Sequence, residues 1–223
     1  MKITLKFLRS FIALCLLCTV ICACGKTDAD ADKNTTDTTP KTEAETLDPD
    51  VFYVRTEGSI SMIKSLADRI GESEWIVVCT VEEVGTPYFS RKADLTQAMT
   101  DRQKYDVVQS IRTPITLRVS EVLKSVTDIS AGDTISITAF SGQVDQYCKL
   151  PLSGEIVPEK GYEYILFLSE IGDDIIVTRP QESVRIEEDG KLRSLLRNDK
   201  LYADCEDKED AIAKIKALLD KKP

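Results

Sequence analysis

The sequence predicts a mainly β domain, with five or six antiparallel strands forming a barrel or sandwich and one helix before and one after them. Three observations point there. Short runs of alternating apolar and polar residues recur through the middle of the chain, as half-buried strands require. Those runs follow one another across turn residues, with few helical segments between them, which argues against a βαβ arrangement. Periodicity of 3.6 residues is confined to a stretch near residue 60 and another near residue 210.

Before the first strand the chain carries two segments of different character. Lys2, Lys6 and Arg9 make a basic start, and residues 10–23 are uncharged and mostly apolar. As a helix these would span about 21 Å, short of a hydrocarbon core of about 30 Å. Residues 1–23 therefore read as a signal peptide. The run ends Ile21-Cys22-Ala23-Cys24, an aliphatic residue, two small ones and a cysteine. This resembles the lipobox of bacterial lipoproteins, and the resemblance implies cleavage before Cys24 and diacylation of its thiol. Two acyl chains give a stable anchor where one gives only reversible attachment. The expected partner is thus a membrane, held through Cys24 on its extracytoplasmic side.

Residues 24–50 hold 8 acidic and 3 basic residues, and Leu47 is their only large apolar side chain. Such a segment buries too little to offset its ordering entropy and is expected to be a disordered acidic linker. Asp28, Asp30 and Asp32 imitate the start of a calcium loop, but Lys33 and Thr39 stand where its Gly and Glu belong. Gly25-Lys26-Thr27 imitates a P-loop, but Val20 replaces its first Gly.

Residues 51–223 are long enough for one domain with its own core and carry 23 basic and 30 acidic residues. Residues 59–70 place Ile60, Ile63, Leu66, Ala67 and Ile70 on one helical stripe, closed by Gly71. Residues 75–84 (WIVVCTVEEV) are apolar on both faces at first and predict a buried strand. The polar stretch 85–104 is long for a connection, with a short helix expected around 94–102. Strands are expected at 113–124, 134–140, 161–168 and 175–178, and a hairpin at 183–195 turns on Asp189-Gly190. The second helix is predicted over 208–219, carrying Ile212, Ile215, Leu218 and Leu219 on one side, with Asp204 or Asp207 as N-cap. The two helices would cover an open edge or a barrel mouth.

Three of these segments carry a resemblance. Residues 74–81 (EWIVVCTV), 119–124 (VSEVLK) and 161–167 (GYEYILF) are similar to the strand motifs of netrin-like domains. The resemblance covers about residues 73–178 and implies a five- to six-stranded OB-like barrel. It does not extend to metalloproteinase inhibition, which uses a free N-terminal cysteine, whereas residue 24 here would be acylated.

Composition narrows the chemistry. The chain of 223 residues has a formal charge of −9 and no histidine. No Ser-His or Cys-His pair and no imidazole ligand can be built from it. The acidic balance argues against nucleic-acid binding. With Cys24 acylated, Cys79, Cys148 and Cys205 allow one disulfide in three pairings. Cys79 sits in an apolar strand, so Cys148–Cys205, both in polar connecting segments, is the preferred pair. No C-x-x-C is present, and neither a metal nor a cofactor is expected. Ser61-Met62-Ile63-Lys64 matches the S-x-x-K of acyl-serine enzymes without its companion motifs. Catalysis by Ser61 and Lys64 is therefore the competing expectation. The leading one is a non-catalytic envelope binding module, with 85–104 and 140–158 as its candidate loops for a ligand or envelope protein.

Overall fold

Strand β2 (Trp75–Val84) is the centre of the architecture, because both of its faces are covered. Trp75, Val77, Cys79 and Val81 point to one side and Ile76 and Val78 to the other, and all six are buried. This is what period-2 geometry does with an uninterrupted apolar run. The computed structural model describes residues 47–55, 65–92, 95, 97–152, 155–196 and 201–221. The expected signal peptide, Cys24, Ser61 and Lys64 lie outside them.

Eleven strands and three helices are present among the described residues. On either side of β2 run the long β4 (Ile111–Lys124) and β8 (Glu163–Ile171), both antiparallel to it. β5 (Thr134–Ala139) pairs with the far edge of β4, and β9 (Asp174–Val177) pairs with the far edge of β8. The hairpin β10 (Val184–Ile186) and β11 (Leu192–Ser194) extends the sheet from the first half of β8, and β3 (Tyr88–Phe89) pairs with the start of β4. A separate sheet has the order β1-β7-β6, from β1 (Phe52–Arg55), β6 (Gly142–Val144) and β7 (Tyr147–Leu150). β1 and β7 run parallel. The mainly β, largely antiparallel expectation holds, but the strand number is larger than five or six and one pair is parallel.

One face of the large sheet gathers Trp75, Val77, Cys79, Val81, Ile115, Leu117, Val119, Ile137, Tyr164, Leu166 and Leu168 into the main core. The opposite face, through Ile76, Val78, Ile165, Phe167 and Val184, receives both flanking helices. These are α1 (Leu66–Ile70) and α3 (Lys208–Leu219), which contribute Leu66, Ile70, Ala211, Ile212 and Ile215. The helices therefore cover a sheet face, not an edge or a mouth. Asp207 caps α3 by accepting from the Asp210 N–H at 3.0 Å. Lys124, at the end of β4, donates to the carbonyls of Gly71 (3.0 Å) and Ser73, pinning the turn after α1. Trp75 Nε1 donates to Thr127 Oγ1 at 3.0 Å.

The remaining helix, α2 (Asp101–Gln109), lies later than the expected 94–102. Thr100 and Gln103 form a capping box that starts it, a device that fixes a helix end at low cost. Val108 from α2 joins Val54, Ile111 and Tyr147 in a third cluster that ties the small sheet to β4. Gly142, at φ +135°, opens β6 where an added Cβ would meet Thr113 Oγ1 at 2.6 Å. Only glycine fits so close an approach.

Residues 46–223 form one compact unit. Residues 47–50, the last of the expected linker, are described and lead into β1. Asp48 Oδ1 accepts from the Asp50 N–H (2.9 Å) and its carbonyl accepts from the Val51 N–H (3.1 Å), forming a turn before β1. Among the described residues no helix is long and apolar enough to cross a membrane.

Candidate functional site

β5 and β9 run close together without sharing a ladder. Thr138 Oγ1 donates to Asp174 Oδ1 at 2.8 Å across the seam between them. Each strand is held from its outer partner, through Ile137 opposite Ile115 and Val177 opposite Leu168. Beyond the Thr138–Asp174 bridge the seam opens into a cavity of about 330 Å³. Its walls include Ile137 and Ala139 from β5, Ile176 and Val177 from β9, and Pro151 and Val157 from the connection between β7 and β8. Proline has no N–H to donate, so Pro151, Pro158 and Pro180 line the cavity without closing it by a ladder.

Two charged groups enter this apolar wall. Lys149 of β7 is only 8% exposed. It lies two residues from Tyr147, hence on the same face of the strand, and reaches the last residue of α2, donating to the Gln109 carbonyl at 3.3 Å. Arg112 donates to that same carbonyl at 2.9 Å. The C-terminal end of a helix carries partial negative charge and attracts cations. The Phe140 ring lies against both, 4.2 Å from the Arg112 guanidinium carbon and 5.6 Å from the Lys149 ammonium. Arg112 also faces Asp174 at 3.8 Å. Burial, reinforced by the charge of Arg112, lowers the Lys149 pKa to about 8.

The second charged group is Glu155. Its Oε2 accepts from the Leu152 N–H at 3.3 Å, and burial raises its pKa against the opposing effect of that hydrogen bond. The cavity thus holds one ammonium and one carboxylate in walls of aliphatic and proline side chains.

The expected loop 140–158 supplies much of this wall, namely Phe140, Ser141, Lys149 and residues in the 150–158 segment. The expected loop 85–104 lines a different, more polar hollow of about 350 Å³ through Arg91, Lys92 and Met99. The preferred Cys148–Cys205 disulfide is not formed in this structure. Cys148 and Cys205 are both thiols in this structure, Cys148 in β7 and Cys205 packed on the helix-covered face of the large sheet. Cys148 lies within a strand of the small sheet and not in the polar connecting segment that the pairing assumed. Cys79 is fully buried as expected, and burial pushes its pKa strongly upward.

The acidic stretch 204–210 is occupied by structural work. Asp204 pairs with Lys214 (2.6 Å), Asp207 caps α3, and Asp210 Oδ2 accepts from the Glu206 N–H (3.0 Å). Among the described residues no group of three metal-ligating side chains converges. Lys149 and Glu155 had no sequence signal as site residues, because only the docking of α2 and the 150–158 segment brings them to one cavity. Compared with known proteins, the chain matches no family model, no curated protein and no solved structure.

Proposed function

We propose that this chain is a lipid-anchored extracytoplasmic binding module, non-catalytic, whose ligand occupies the cavity beside the β5–β9 seam. The observation that carries the reading is that cavity, concave and largely apolar, with a buried ammonium and a carboxylate in its wall. At about 330 Å³ it falls at the lower end of the range that small-molecule sites occupy. The strand sequence β5-β4-β2-β8-β9, with one shared interior cluster and β9 returning beside β5, supports reading the fold as an OB-like barrel left open at one seam. Barrels of this kind serve as platforms for unrelated ligands, so the site and not the fold carries the function. The anchor rests on the lipobox-like residues ending at Cys24.

Two measurements test this. Intact-mass analysis of the full chain from a membrane fraction should give a product beginning at Cys24 with a diacylglyceryl increment. Retention of Met1, or an unmodified residue 24, overturns the anchor. Benzene, a probe for apolar cavities, should bind the full chain and be excluded by Ala139→Phe, which fills the wall from β5. Equal benzene binding by both proteins, or by neither, overturns the cavity as the ligand site.

A further inference from the structure

We infer that the cavity takes a small monocarboxylic acid, its carboxylate against the Lys149 ammonium and its apolar body against Ile137, Val157 and Ile176. This rests on the binding-module reading and names the ligand class for that site.

The argument begins with an unbalanced charge. A buried cation is costly unless an anion or several hydrogen bonds compensate it. Arg112 has the Asp174 carboxylate at 3.8 Å and two backbone carbonyls at 2.9 Å. Lys149 is far more buried than most lysines, yet among the described residues it makes no ion pair and donates only to the Gln109 carbonyl. An ammonium has three N–H donors, so two are left for another acceptor. Its Gln109 and Phe140 neighbours both line the cavity, which puts the ammonium at the cavity wall. The lowered pKa of Lys149 is what an incompletely compensated ammonium produces, and an anion placed against it would raise that pKa again.

The remaining walls select the kind of anion. Glu155 lines the same cavity, and the C-terminal end of α2 adds partial negative charge beside Lys149. A dianion would meet both, whereas a single carboxylate is matched by the single ammonium. Ile137, Val157 and Ile176 offer no polar side-chain group and call for an apolar body. The volume equals that of roughly ten water molecules at about 30 Å³ each, which bounds the ligand to a compact acid.

The test is a head-group series at constant chain length, titrated calorimetrically into the full chain: octanoate, octanol, octylamine and octyl phosphate. Octanoate should bind at least tenfold more tightly than each of the others. Lys149→Met should weaken octanoate at least tenfold and leave octanol unchanged. Octanol binding as tightly as octanoate, octyl phosphate binding more tightly, or an undiminished octanoate affinity in K149M would each overturn the assignment. The series on the unmodified chain decides alone should K149M fail to fold. Benzene binding without octanoate binding defeats this inference and leaves the cavity reading intact, whereas failure of both probes defeats the two together.

Discussion

Lys149 and Arg112 donate to one acceptor, the carbonyl of Gln109 at the end of α2, at 3.3 Å and 2.9 Å. Two cations from different strands thus converge on a helix end that offers only partial negative charge. The charge of Arg112 adds to burial in lowering the Lys149 pKa, so the consequence of this crowding is read at Lys149.

Its pKa of about 8 in the folded chain compares with 10.5 ordinarily. Between those values the unfolded chain holds a proton that the folded chain has released, so stability rises as pH increases through the window from about 8 to 10.5. Arg112 from β4, Glu155 from the segment after β7 and Asp174 from β9 are the other charged groups around it. Urea unfolding of the full chain at pH 7 to 10.5 should show the rise, and K149M should lack it. At pH 7 K149M should be more stable than the parent by about 1–3 kcal/mol. A K149M protein with the same pH profile as the parent would refute this.

The seam bridge yields a second expectation. Thr138→Val keeps the shape of the side chain and removes the donor to Asp174. A hydrogen bond to a charged acceptor is worth about 1.5–3 kcal/mol, and stability should fall by about that much. Hydrogen exchange should show faster opening of β9, with the amides of β2 unaffected.

Core packing on the helix side gives a third. Ile215 is fully buried between α3 and the outer face of β2 and β8, whereas Leu218 is half-buried. Ile215→Ala should cost about 2–4 kcal/mol through lost burial and the cavity left behind. Leu218→Ala should cost clearly less, and a chevron or urea midpoint series ranks the two. Equal losses would mean that α3 is seated differently on the sheet.

Thiol chemistry supplies a fourth. Cys79 is buried with its pKa driven up, and Cys205 is half-buried with its pKa raised mainly by burial. The thiolate is the reactive form, so at pH 8 Cys205 should react slowly with a disulfide reagent and Cys79 only after unfolding. Peptide mapping without reductant should recover Cys148 and Cys205 alkylated separately. A peptide pair linked through these two residues would restore the disulfide.

Much of the fold was legible because its central strands are long enough to display a period. Residues 75–84 and 208–219 match β2 and α3 at both ends, the first by its two-faced apolar run and the second by an apolar stripe behind the Asp207 cap. No sequence period marks strands β1, β3, β6 and β7. They have two to four residues each, and β1 is paired to β7 from almost a hundred residues away, so nothing local marks them. Apolar periodicity points to a start too early for helix α2 because the helix buries little beyond Val108, whereas the capping signature of Thr100 and Gln103 marks its start. The cavity was foreshadowed only as the 140–158 loop. Its charged groups owe their positions to helix docking and to a seam that a linear reading does not contain.

The two-sided covering of β2 has a cost during folding. When one face of a strand is greasy and the other wet, slipping by a single residue is punished at once by exposure. Here Trp75, Val77 and Cys79 could trade places with Ile76 and Val78 with little change in oiliness, so hydrophobicity alone discriminates weakly against misaligned chains. Proofreading falls instead to a few polar latches: the indole of Trp75 on Thr127, the ammonium of Lys124 on the carbonyls of Gly71 and Ser73, and the bulges that offset β2 against β4. Loosening these latches would yield trapped, wrongly threaded species well before it lowered the melting point of correctly assembled protein.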